Sequence, residues 1–310
     1  MRIQWIHDIY WMRYRFFWRS YALLAPMAAT KSRFKNCMGY LPDLKEPKTL
    51  NEKMQYLKLH DYWKNPVVCQ CTDKYAVRDF VCAKGCSEIL NELYTVYDSV
   101  DEIDWEEIPQ EFVLKCNHGS GGNIICYDKN VLDIEDAKKK LRKWMKAEFG
   151  LERVEYSYEG IKRKIICEKI IKTEDGKPPK DYKIFCSYGE PKVLFVASDR
   201  RDGTAKFDYF TPEWEWIPVK NGHPNAECTL QKPERWNDML DYASKLSKDF
   251  PLVRVDLYHE FNQIIFGELT FLHYGGIGPF DPPEYDRKFG DLFPINTGSF
   301  NTESLKVNHA

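Results

Sequence analysis

The chain has 310 residues, of which 43% are hydrophobic and 15% aromatic, enough to bury a core and to form more than one lobe. Its formal net charge of −2 is too close to neutral for a bulk nucleic-acid binder, so any basic site must be local. No apolar run reaches the roughly 18 residues that a membrane span requires.

The ten cysteines show no C-x-x-C spacing and no other zinc-binding pattern. Four of them lie inside apolar runs, where cysteine behaves as a small buried hydrophobe: Cys116, Cys126, Cys167 and Cys186. We therefore expect free thiols and a cytoplasmic protein.

Residues 2–24 predict an amphipathic helix with an aromatic side and a basic side. The apolar side carries Trp5, Ile9, Met12 and Phe16, and the basic side carries Arg2, Arg13, Arg15 and Arg19. Such a helix can pack on its own domain or on a second subunit, which would make the protein a homo-oligomer. It can equally lie on the inner face of the membrane as a peripheral contact, so both interpretations stay open.

The remaining elements predict an α+β fold. Before residue 111 we expect a helix over 49–60, a helix over Asp73–Ala83 capped by Thr72, and a strand over Leu93–Val100. Further strands are predicted over Phe112–Cys116, Asn123–Tyr127, Ile165–Ile171, Asp181–Ser187, Val193–Ala197, Leu252–Tyr258 and Ile264–Leu272, with helices over Ile134–Glu148 and Trp236–Lys248. The predicted units are 1–40, the helix and a connector; 41–110, an α/β lobe; 111–165, a small lobe; and 166–310, a large lobe with the tail.

A glycine-rich loop connects two of these strands and is therefore the tip of a β-hairpin. Walker A and dinucleotide-binding loops are instead followed by a helix. Gly119, Gly121 and Gly122 leave backbone N–H groups free to approach phosphate oxygens, and Ser120 adds a hydroxyl. Lys115 lies in the otherwise apolar strand before the loop, where it needs an anion or must extend to water. The alternative is an ordinary hairpin with an edge lysine.

Two carboxylates are predicted to face each other near the carboxyl terminus. If the last two strands form a hairpin centred on Asn262, Asp256 lies opposite Glu268 and Arg254 lies opposite Thr270. Facing carboxylates repel each other and call for a cation, and all-oxygen ligands at this separation suit Mg²⁺. A purely structural Arg–Asp–Glu cluster is the alternative, and the phosphate-type hairpin favours a metal–nucleotide site.

In this order along the chain, these residues resemble the ATP-grasp superfamily, and more specifically its TupA-like branch, named for a protein of teichuronopeptide synthesis. The resemblance covers about residues 45–295. Its segments are Lys48-Thr49-Leu50-Asn51-Glu52-Lys53, Thr72-Asp73-Lys74-Tyr75-Ala76-Val77-Arg78, Lys115-Cys116-Asn117-His118-Gly119-Ser120-Gly121, Asp181-Tyr182-Lys183 and Gly267-Glu268-Leu269-Thr270-Phe271.

The resemblance implies that ATP and Mg²⁺ bind between two α+β lobes. The residues expected at the nucleotide are Lys115, Gly119, Ser120, Gly121, Gly122, Glu168, Lys169, Ile171 and Asp181. Asp256 and Glu268 are expected to hold the metal. Many members carry Glu-x-Asn there, whereas this chain has Glu268-Leu269-Thr270, in which Thr270 still offers an oxygen.

The resemblance also implies the reaction, an ADP-forming ligation of a carboxylate to an amine through an acyl-phosphate. Lys183 and Arg254 are expected to stabilise the charge on the transferring phosphoryl group. His118, beside the loop, is a candidate base, with a hydrogen-bonding or packing role as the alternative. The loop over His273–Asp286 is either a flexible lid or a structural tail.

The family's association with bacterial surface polysaccharide and capsule suggests a sugar-acid carboxylate, such as a uronic acid, and an amino acid or other amine as substrates. A glycosyltransferase is one rival function, although the chain lacks the local Asp-x-Asp such enzymes commonly present. An ATP-binding protein without ligase activity is the other.

Overall fold

A computed structural model of the chain describes residues 2–200, 205–226 and 230–297, with side chains from Arg13 onward. The helices are α1 (Arg2–Leu24), α2 (Pro26–Met38), α3 (Leu50–Leu59), α4 (Pro66–Thr72), α5 (Val77–Ala83), α6 (Ile134–Lys146), α7 (Trp236–Ser247) and α8 (Glu284–Asp291). The strands are β1 (Leu93–Tyr97), β2 (Phe112–Cys116), β3 (Asn123–Cys126), β4 (Ile165–Glu168), β5 (Asp181–Ser187), β6 (Glu190–Ser198), β7 (Lys206–Phe210), β8 (Trp216–Ile217), β9 (Lys220–Asn221), β10 (Val253–Glu260), β11 (Gln263–Thr270) and β12 (Phe280–Asp281).

The small sheet has the strand order β1-β4-β2-β3, with every neighbouring pair antiparallel. Its core is closed by α6, whose Ala137 and Leu141 are buried against Phe112 and Leu114 of β2. The predicted hairpin is confirmed, because β2 pairs with β3 from Phe112 through Lys115. The glycine-rich loop therefore connects two paired strands of a sheet that packs against α6.

The large sheet has the order β11-β10-β5-β6-β7-β8 and is also antiparallel. Its core takes in α7, through Trp236 and Met239, and also the buried residues of α3, α4 and α5. The segment predicted as one lobe, 41–110, thus contributes helices to the core of the large sheet and the strand β1 to the small sheet, where it pairs with β4.

The prediction that Thr72 caps a helix is wrong. Asn65 instead caps α4, which begins at Pro66 and ends at Thr72, and the Thr72 hydroxyl donates to the carbonyl of Val68 at 2.7 Å. The next turn is held by Asp73, whose Oδ1 accepts from the backbone N–H of Tyr75 at 2.8 Å. The helix α5 then begins only at Val77.

The predicted register of the last hairpin is confirmed at the residues that matter for the site. Asp256 lies opposite Glu268, and Arg254 lies opposite Thr270. Both carboxylates therefore project from the same face of neighbouring strands.

Towards the turn the register differs from the prediction by one residue. The turn consists of two residues with positive φ, Phe261 at 49° and Asn262 at 58°, the conformation of a type I′ hairpin. A bulge at Gly267 absorbs the difference, so that Leu257 pairs with Phe266. A side chain at this bulge would crowd the sheet, because a Cβ on Gly267 would lie 3.0 Å from the carbonyl oxygen of Asp256.

The described cysteines are free thiols, and the four predicted to be buried are buried. Cys228 lies outside the described residues. In the part of the chain that the structure describes, no helix is both long enough and apolar enough to cross a membrane.

The carboxyl-terminal half of α1 packs on its own chain. Trp18 and Ala22 are buried in a small cluster with Leu151 and Val154. Arg19 donates to Glu148 at 2.6 Å on the same side. This confirms packing for that half of the helix, whereas the aromatic pattern over residues 2–12 lies outside the described side chains.

The packing of α1 can be tested with two aromatic residues that differ in burial. Trp18 is 6% exposed and Phe16 is 73% exposed. We expect Trp18→Ala to lower the free energy of unfolding by about 3 kcal/mol because it leaves a cavity, and Phe16→Ala to leave it nearly unchanged. Urea denaturation followed by circular dichroism measures both, and equal effects of the two substitutions would contradict the packing of this helix.

Candidate functional site

A cleft of about 270 Å³ lies between the two sheets, beneath the glycine-rich loop. Of the residues predicted from the sequence, nine line it: Lys115, Ser120, Gly121, Glu168, Ile171, Asp181, Lys183, Asp256 and Glu268. The loop and Lys115 come from the small sheet, and the last four residues come from the large one. Residues separated by up to 153 positions in the sequence thus meet in one polar cleft.

Arg254 and Asp256 form a buried, bidentate ion pair on β10. The guanidinium Nε donates to Oδ1 of Asp256 at 2.6 Å, and Nη2 donates to Oδ2 at 2.7 Å. Lys183 of β5 also donates to Oδ2, so both carboxylate oxygens are engaged. Because Asp256 is only 1% exposed, these contacts replace the water that the charge lost on folding.

Glu268 is the more accessible carboxylate of the pair, with a side chain that is 41% exposed. Its Oε1 accepts from Thr270 at 3.0 Å and from Arg254 at 3.3 Å. Desolvation raises the pKa of Glu268, but the charges of Lys74, Lys183 and Arg254 outweigh it and lower the pKa to about 2. The carboxylate is therefore ionised over the whole physiological pH range.

These oxygen donors fit a magnesium ion that arrives with a nucleotide. Among the described residues, no group of three or more His, Cys, Asp or Glu side chains is placed to hold a metal alone. Mg²⁺ needs only one or two protein carboxylates when substrate phosphates supply other ligands. Glu268 is open for this role, whereas Asp256 would first exchange a hydrogen bond from Lys183, and the Thr270 oxygen already accepts from Arg254.

A buried histidine that was not predicted from the sequence fixes the position of Arg254 through a hydrogen bond. Nδ1 of His273 accepts from Nη1 of Arg254 at 2.7 Å, and Nε2 of His273 contacts Oδ1 of Asn221 at 2.8 Å. Burial, with the nearby charges of Arg254 and Lys183, keeps the pKa of His273 well below its usual range. The ring is therefore neutral, and its Nε2–H donates to Asn221.

The loop that carries His273 is packed against α3. Gln55 donates to the carbonyls of Gly275 at 2.8 Å and Gly276 at 2.6 Å, and Asn51 donates to the carbonyl of Gly278 at 3.0 Å. A Cβ on Gly276 would lie 2.3 Å from the Gln55 amide nitrogen. The glycines here serve close packing against α3, which favours the structural interpretation of this segment.

The glycine-rich loop depends on backbone angles that favour glycine, since Gly119, Gly121 and Gly122 all have positive φ. The outer side of the loop is closely packed, because a Cβ on Gly119 would lie 2.8 Å from Cγ of Phe149. The same atom on Gly122 would lie 3.3 Å from the ring of Trp144. Ser120 and Gly121 are left to face the cleft.

At the end of β4 the cleft continues into a second space of about 600 Å³, which shares Ile171 with it. Glu168 at this junction accepts from Lys115 at 2.7 Å. Lys169 faces the second space and pairs with Glu92 at 3.1 Å, away from the facing carboxylates. Seven of the nine predicted nucleotide residues therefore line one or both of these spaces, whereas Gly119 and Gly122 line neither.

Asp181 has one occupied and one free carboxylate oxygen. Oδ2 contacts Lys183 at 2.7 Å and Arg200 at 3.0 Å. Oδ1 is buried and has no hydrogen-bond partner among the described residues. A buried acceptor at the wall of a cleft calls for a donor from a ligand or an ordered water.

The assignment of His118 as the candidate base needs correction. Its Nε2 contacts the carbonyl of Trp144 at 3.2 Å, and the ring lines a separate cavity of about 70 Å³ together with Arg19 and Arg163. Burial lowers its pKa, with the charge of Arg163 adding to the effect. The structure therefore places His118 outside the cleft and favours its hydrogen-bonding role.

Three cations of the cleft were missed in the sequence: Lys74, Arg78 and Arg200. Lys74 and Arg78 come from the turn after α4 and from α5, whose position over the cleft depends on tertiary packing. Both lie in a segment that carried the family resemblance, but nothing in their spacing pointed to an anion.

The buried neutral His273 predicts a dependence of stability on pH. A histidine whose pKa is lowered by folding stabilises the protein above its unfolded pKa of ~6.5, and this stabilisation is lost as the pH falls, by about 1.4 kcal/mol per pH unit. We expect the free energy of unfolding to fall less between pH 7.5 and pH 5.5 in His273→Asn than in the unsubstituted protein. His60, His118 and His259, whose pKa burial also lowers, are common to both proteins and act as the internal control. Identical pH slopes in urea titrations would rule out a buried neutral His273.

Comparisons with known proteins address the fold as a whole. The family model described as TupA-like ATPgrasp matches residues 52–294. No curated protein matches the chain.

Solved structures with a similar fold include the D-alanine–D-alanine ligase from Bacillus anthracis complexed with ATP, at 13% identity and a TM-score of 0.44 over 72% of this chain and 64% of that one. Another is the L-amino acid ligase from Bacillus licheniformis, at 10% identity and a TM-score of 0.42 over 73% of this chain and 48% of that one. A third is the N5-carboxyaminoimidazole synthase from Aspergillus clavatus in complex with ADP and 5-aminoimidazole ribonucleotide, at 12% identity and a TM-score of 0.41 over 74% and 53%. This chain spans less than two thirds of the length of each of these proteins.

The family model covers most of the chain, including both sheets, the glycine-rich loop and the facing carboxylates. The chain therefore belongs to the TupA-like ATP-grasp family.

Proposed function

We propose that the protein is a Mg²⁺- and ATP-dependent carboxylate–amine ligase that forms ADP and acts through an acyl-phosphate. The observation that supports this most is the single cleft in which the glycine-rich loop of one sheet lies over the ionised Glu268 of the other. A phosphate-binding loop without an ionised carboxylate would fit many nucleotide binders. The two together fit phosphoryl transfer to a substrate.

The charges of the cleft suit a polyphosphate. Besides the carboxylates it contains five cationic side chains, listed along the sequence as Lys74, Arg78, Lys115, Lys183 and Arg200. Preorganised cations stabilise negative charge as it moves between phosphate oxygens, and they cost little reorganisation when they are already held in place. Here carboxylates hold four of the five in place: Glu168 pairs with Lys115 and Arg78, Asp256 pairs with Lys183, and Asp181 pairs with Arg200.

Arg254 is expected to act from within this network. It is 6% exposed and fixed by Asp256, Thr270 and His273, so its guanidinium keeps one orientation. It balances the negative charge of both carboxylates. Magnesium, when bound, would supply Lewis-acid stabilisation of phosphate oxygens at Glu268 and Asp256.

The proposed acid substrate is a sugar acid, such as a uronic acid of a polysaccharide or its precursor, and the proposed amine is an amino acid or another amine. Membership of the TupA-like family supports this choice of substrate classes. A cytoplasmic location, contact of residues 2–24 with a membrane surface and homo-oligomer formation stay predictions.

The function is tested by a screen of uronic acids paired with amino acids for Mg²⁺-dependent release of ADP and phosphate. We expect one or more pairs to release ADP only when both the acid and the amine are present. Release of a nucleoside diphosphate from a sugar donor would identify a glycosyltransferase instead. Nucleotide binding without acceptor-dependent ADP release would identify an ATP-binding protein that does not ligate.

The role of Glu268 can be tested without disturbing the core, because its side chain is partly exposed. Glu268→Gln removes the charge but keeps the shape, so we expect Mg²⁺-dependent ATP turnover to fall at least about a hundredfold while the melting temperature stays close to that of the unsubstituted protein. Glu190→Gln is the matched control, because Glu190 lies in the β5–β6 hairpin and pairs with the neighbouring Lys192. Full activity of Glu268→Gln would contradict the assignment of Glu268 as a magnesium ligand.

Asp256→Asn should abolish turnover as well, but with an effect on stability. The substitution leaves Arg254 and Lys183 without their shared anion in a buried place. We expect a loss of about 3 kcal/mol in the free energy of unfolding, measured by urea denaturation. An Asp256→Asn protein as stable as the original would show that this carboxylate is not the buried counter-ion described above.

Lys115→Ala should weaken nucleotide binding. Lys115 lies in β2 directly before the loop, with a side chain that is 27% exposed and lines the cleft. Loss of its charge is expected to lower the affinity for Mg-ADP about tenfold in isothermal titration calorimetry, with Lys138→Ala on the outer face of α6 as control. Unchanged affinity would remove Lys115 from the site.

A further inference from the structure

Lys74 occupies an unusual position among the cations of the cleft. Lys115, Lys183, Arg78 and Arg200 each lie within ion-pair distance of a carboxylate there. In the described ranges of the chain, no carboxylate lies within that distance of Lys74. Its charge is nevertheless one of those that stabilise the ionised Glu268.

Among the described residues, the Lys74 ammonium donates one hydrogen bond, and its acceptor belongs to the glycine-rich loop. Nζ donates to the carbonyl of Gly119 at 2.5 Å. An ammonium group has three N–H donors, so two remain. Because Lys74 lines the cleft together with Ser120, Gly121 and Glu268, these two donors have access to an anion between the loop and Glu268.

The backbone around Lys74 holds the base of the same loop. The N–H of Lys74 donates to the carbonyl of Asn117 at 3.0 Å, and the amide of Asn117 donates to Asp73 at 2.9 Å. Lys74 lies between α4 and α5, whose Cys71 and Val77 belong to the core of the large sheet, whereas the loop belongs to the small sheet. Lys74 therefore joins the loop to the opposite body of the cleft.

Lys74 and Lys115 have different partners in the cleft, so we expect them to contact different phosphates of a nucleotide. Lys115 pairs with Glu168, whose neighbour in the chain, Lys169, lines the second space. Lys74 instead contacts the loop at Gly119, in the cleft that Glu268 also lines. A nucleotide that runs from the second space to the metal carboxylate would present its inner phosphates to Lys115 and its terminal phosphate to Lys74.

We propose that Lys74 binds the terminal phosphate of ATP and, through the same ammonium group, fastens the glycine-rich loop over it. This rests on the proposed function for the identity of the ligand. The phosphate that ATP gives up in the reaction would thus be bound by Lys74, a residue that belongs to neither of the two sheets. Lys74 would then distinguish ATP from ADP, since only ATP places a phosphate next to it.

The test compares affinities for Mg-ADP and for a non-hydrolysable Mg-ATP analogue by isothermal titration calorimetry. We expect Lys74→Met to weaken binding of the analogue about tenfold, as the loss of one charge-assisted contact does, and to change ADP binding less than about threefold. Lys74→Arg should restore most of the preference for the analogue. Lys84→Met is the matched control, since Lys84 follows α5 and pairs with Asp249.

A second measurement tests the fastening of the loop in the protein without nucleotide. Hydrogen exchange of residues 117–122 should be faster in Lys74→Met than in the unsubstituted protein or in Lys84→Met. Equal losses of affinity for both nucleotides, or no loss for either, would overturn the assignment to the terminal phosphate. Unchanged exchange would overturn the fastening of the loop.

These outcomes are separate from the fate of the proposed ligase activity. If no acid and amine release ADP but Lys74→Met loses its preference for the ATP analogue, the ligase proposal fails and the Lys74 assignment stands. If the unsubstituted protein binds neither nucleotide, the ligase proposal and the Lys74 assignment are both wrong.

Discussion

The bidentate pairing of Arg254 with Asp256 is the interaction on which the site depends. Two opposite charges on one strand are buried together, and each would be costly alone. The guanidinium also contacts Glu268, Thr270 and His273, so one side chain links β10, β11 and the loop that follows. The carboxylate in turn holds Lys183 of β5. The cationic and anionic groups of the cleft are thereby fixed before any ligand arrives.

This arrangement explains why the two facing carboxylates differ. Asp256 is saturated with donors and buried, whereas Glu268 is partly exposed and uses only Oε1 among its described contacts. The first therefore organises the site and the second presents an open anionic oxygen to the cleft. A divalent ion carried by a nucleotide would meet Glu268 first, and the ion and Lys183 would compete for Asp256.

The sequence predicted those parts of the site that depend on short-range patterns. The alternation of β10 and β11 sufficed to place Asp256 opposite Glu268, and apolar runs around the glycines sufficed to predict the β2–β3 hairpin. The bulge at Gly267 was not predictable from alternation, because the type I′ turn at Phe261 and Asn262 sets the register at the other end.

Other parts depend on contacts between distant segments and escaped the sequence. His273 was regarded only as the start of a loop, although its ring supports Arg254. The glycines after it left a lid and a structural tail equally open, and the close contact of Gly276 with Gln55 of α3 favours the structural role. Lys74 lies in a segment that carried the family resemblance, but its spacing gave no sign of an anion, since its contact with the loop follows from the packing of α4 and α5 beside the other sheet.

The most direct test of the account is a crystal structure with Mn²⁺ in place of Mg²⁺ and a non-hydrolysable ATP analogue, in which anomalous scattering locates the ion. We predict an ion bonded to a carboxylate oxygen of Glu268 and to the analogue's phosphates, with residues 119–122 covering the phosphates. An ion bound elsewhere, with Glu268 still turned to Arg254 and Thr270 alone, would contradict it.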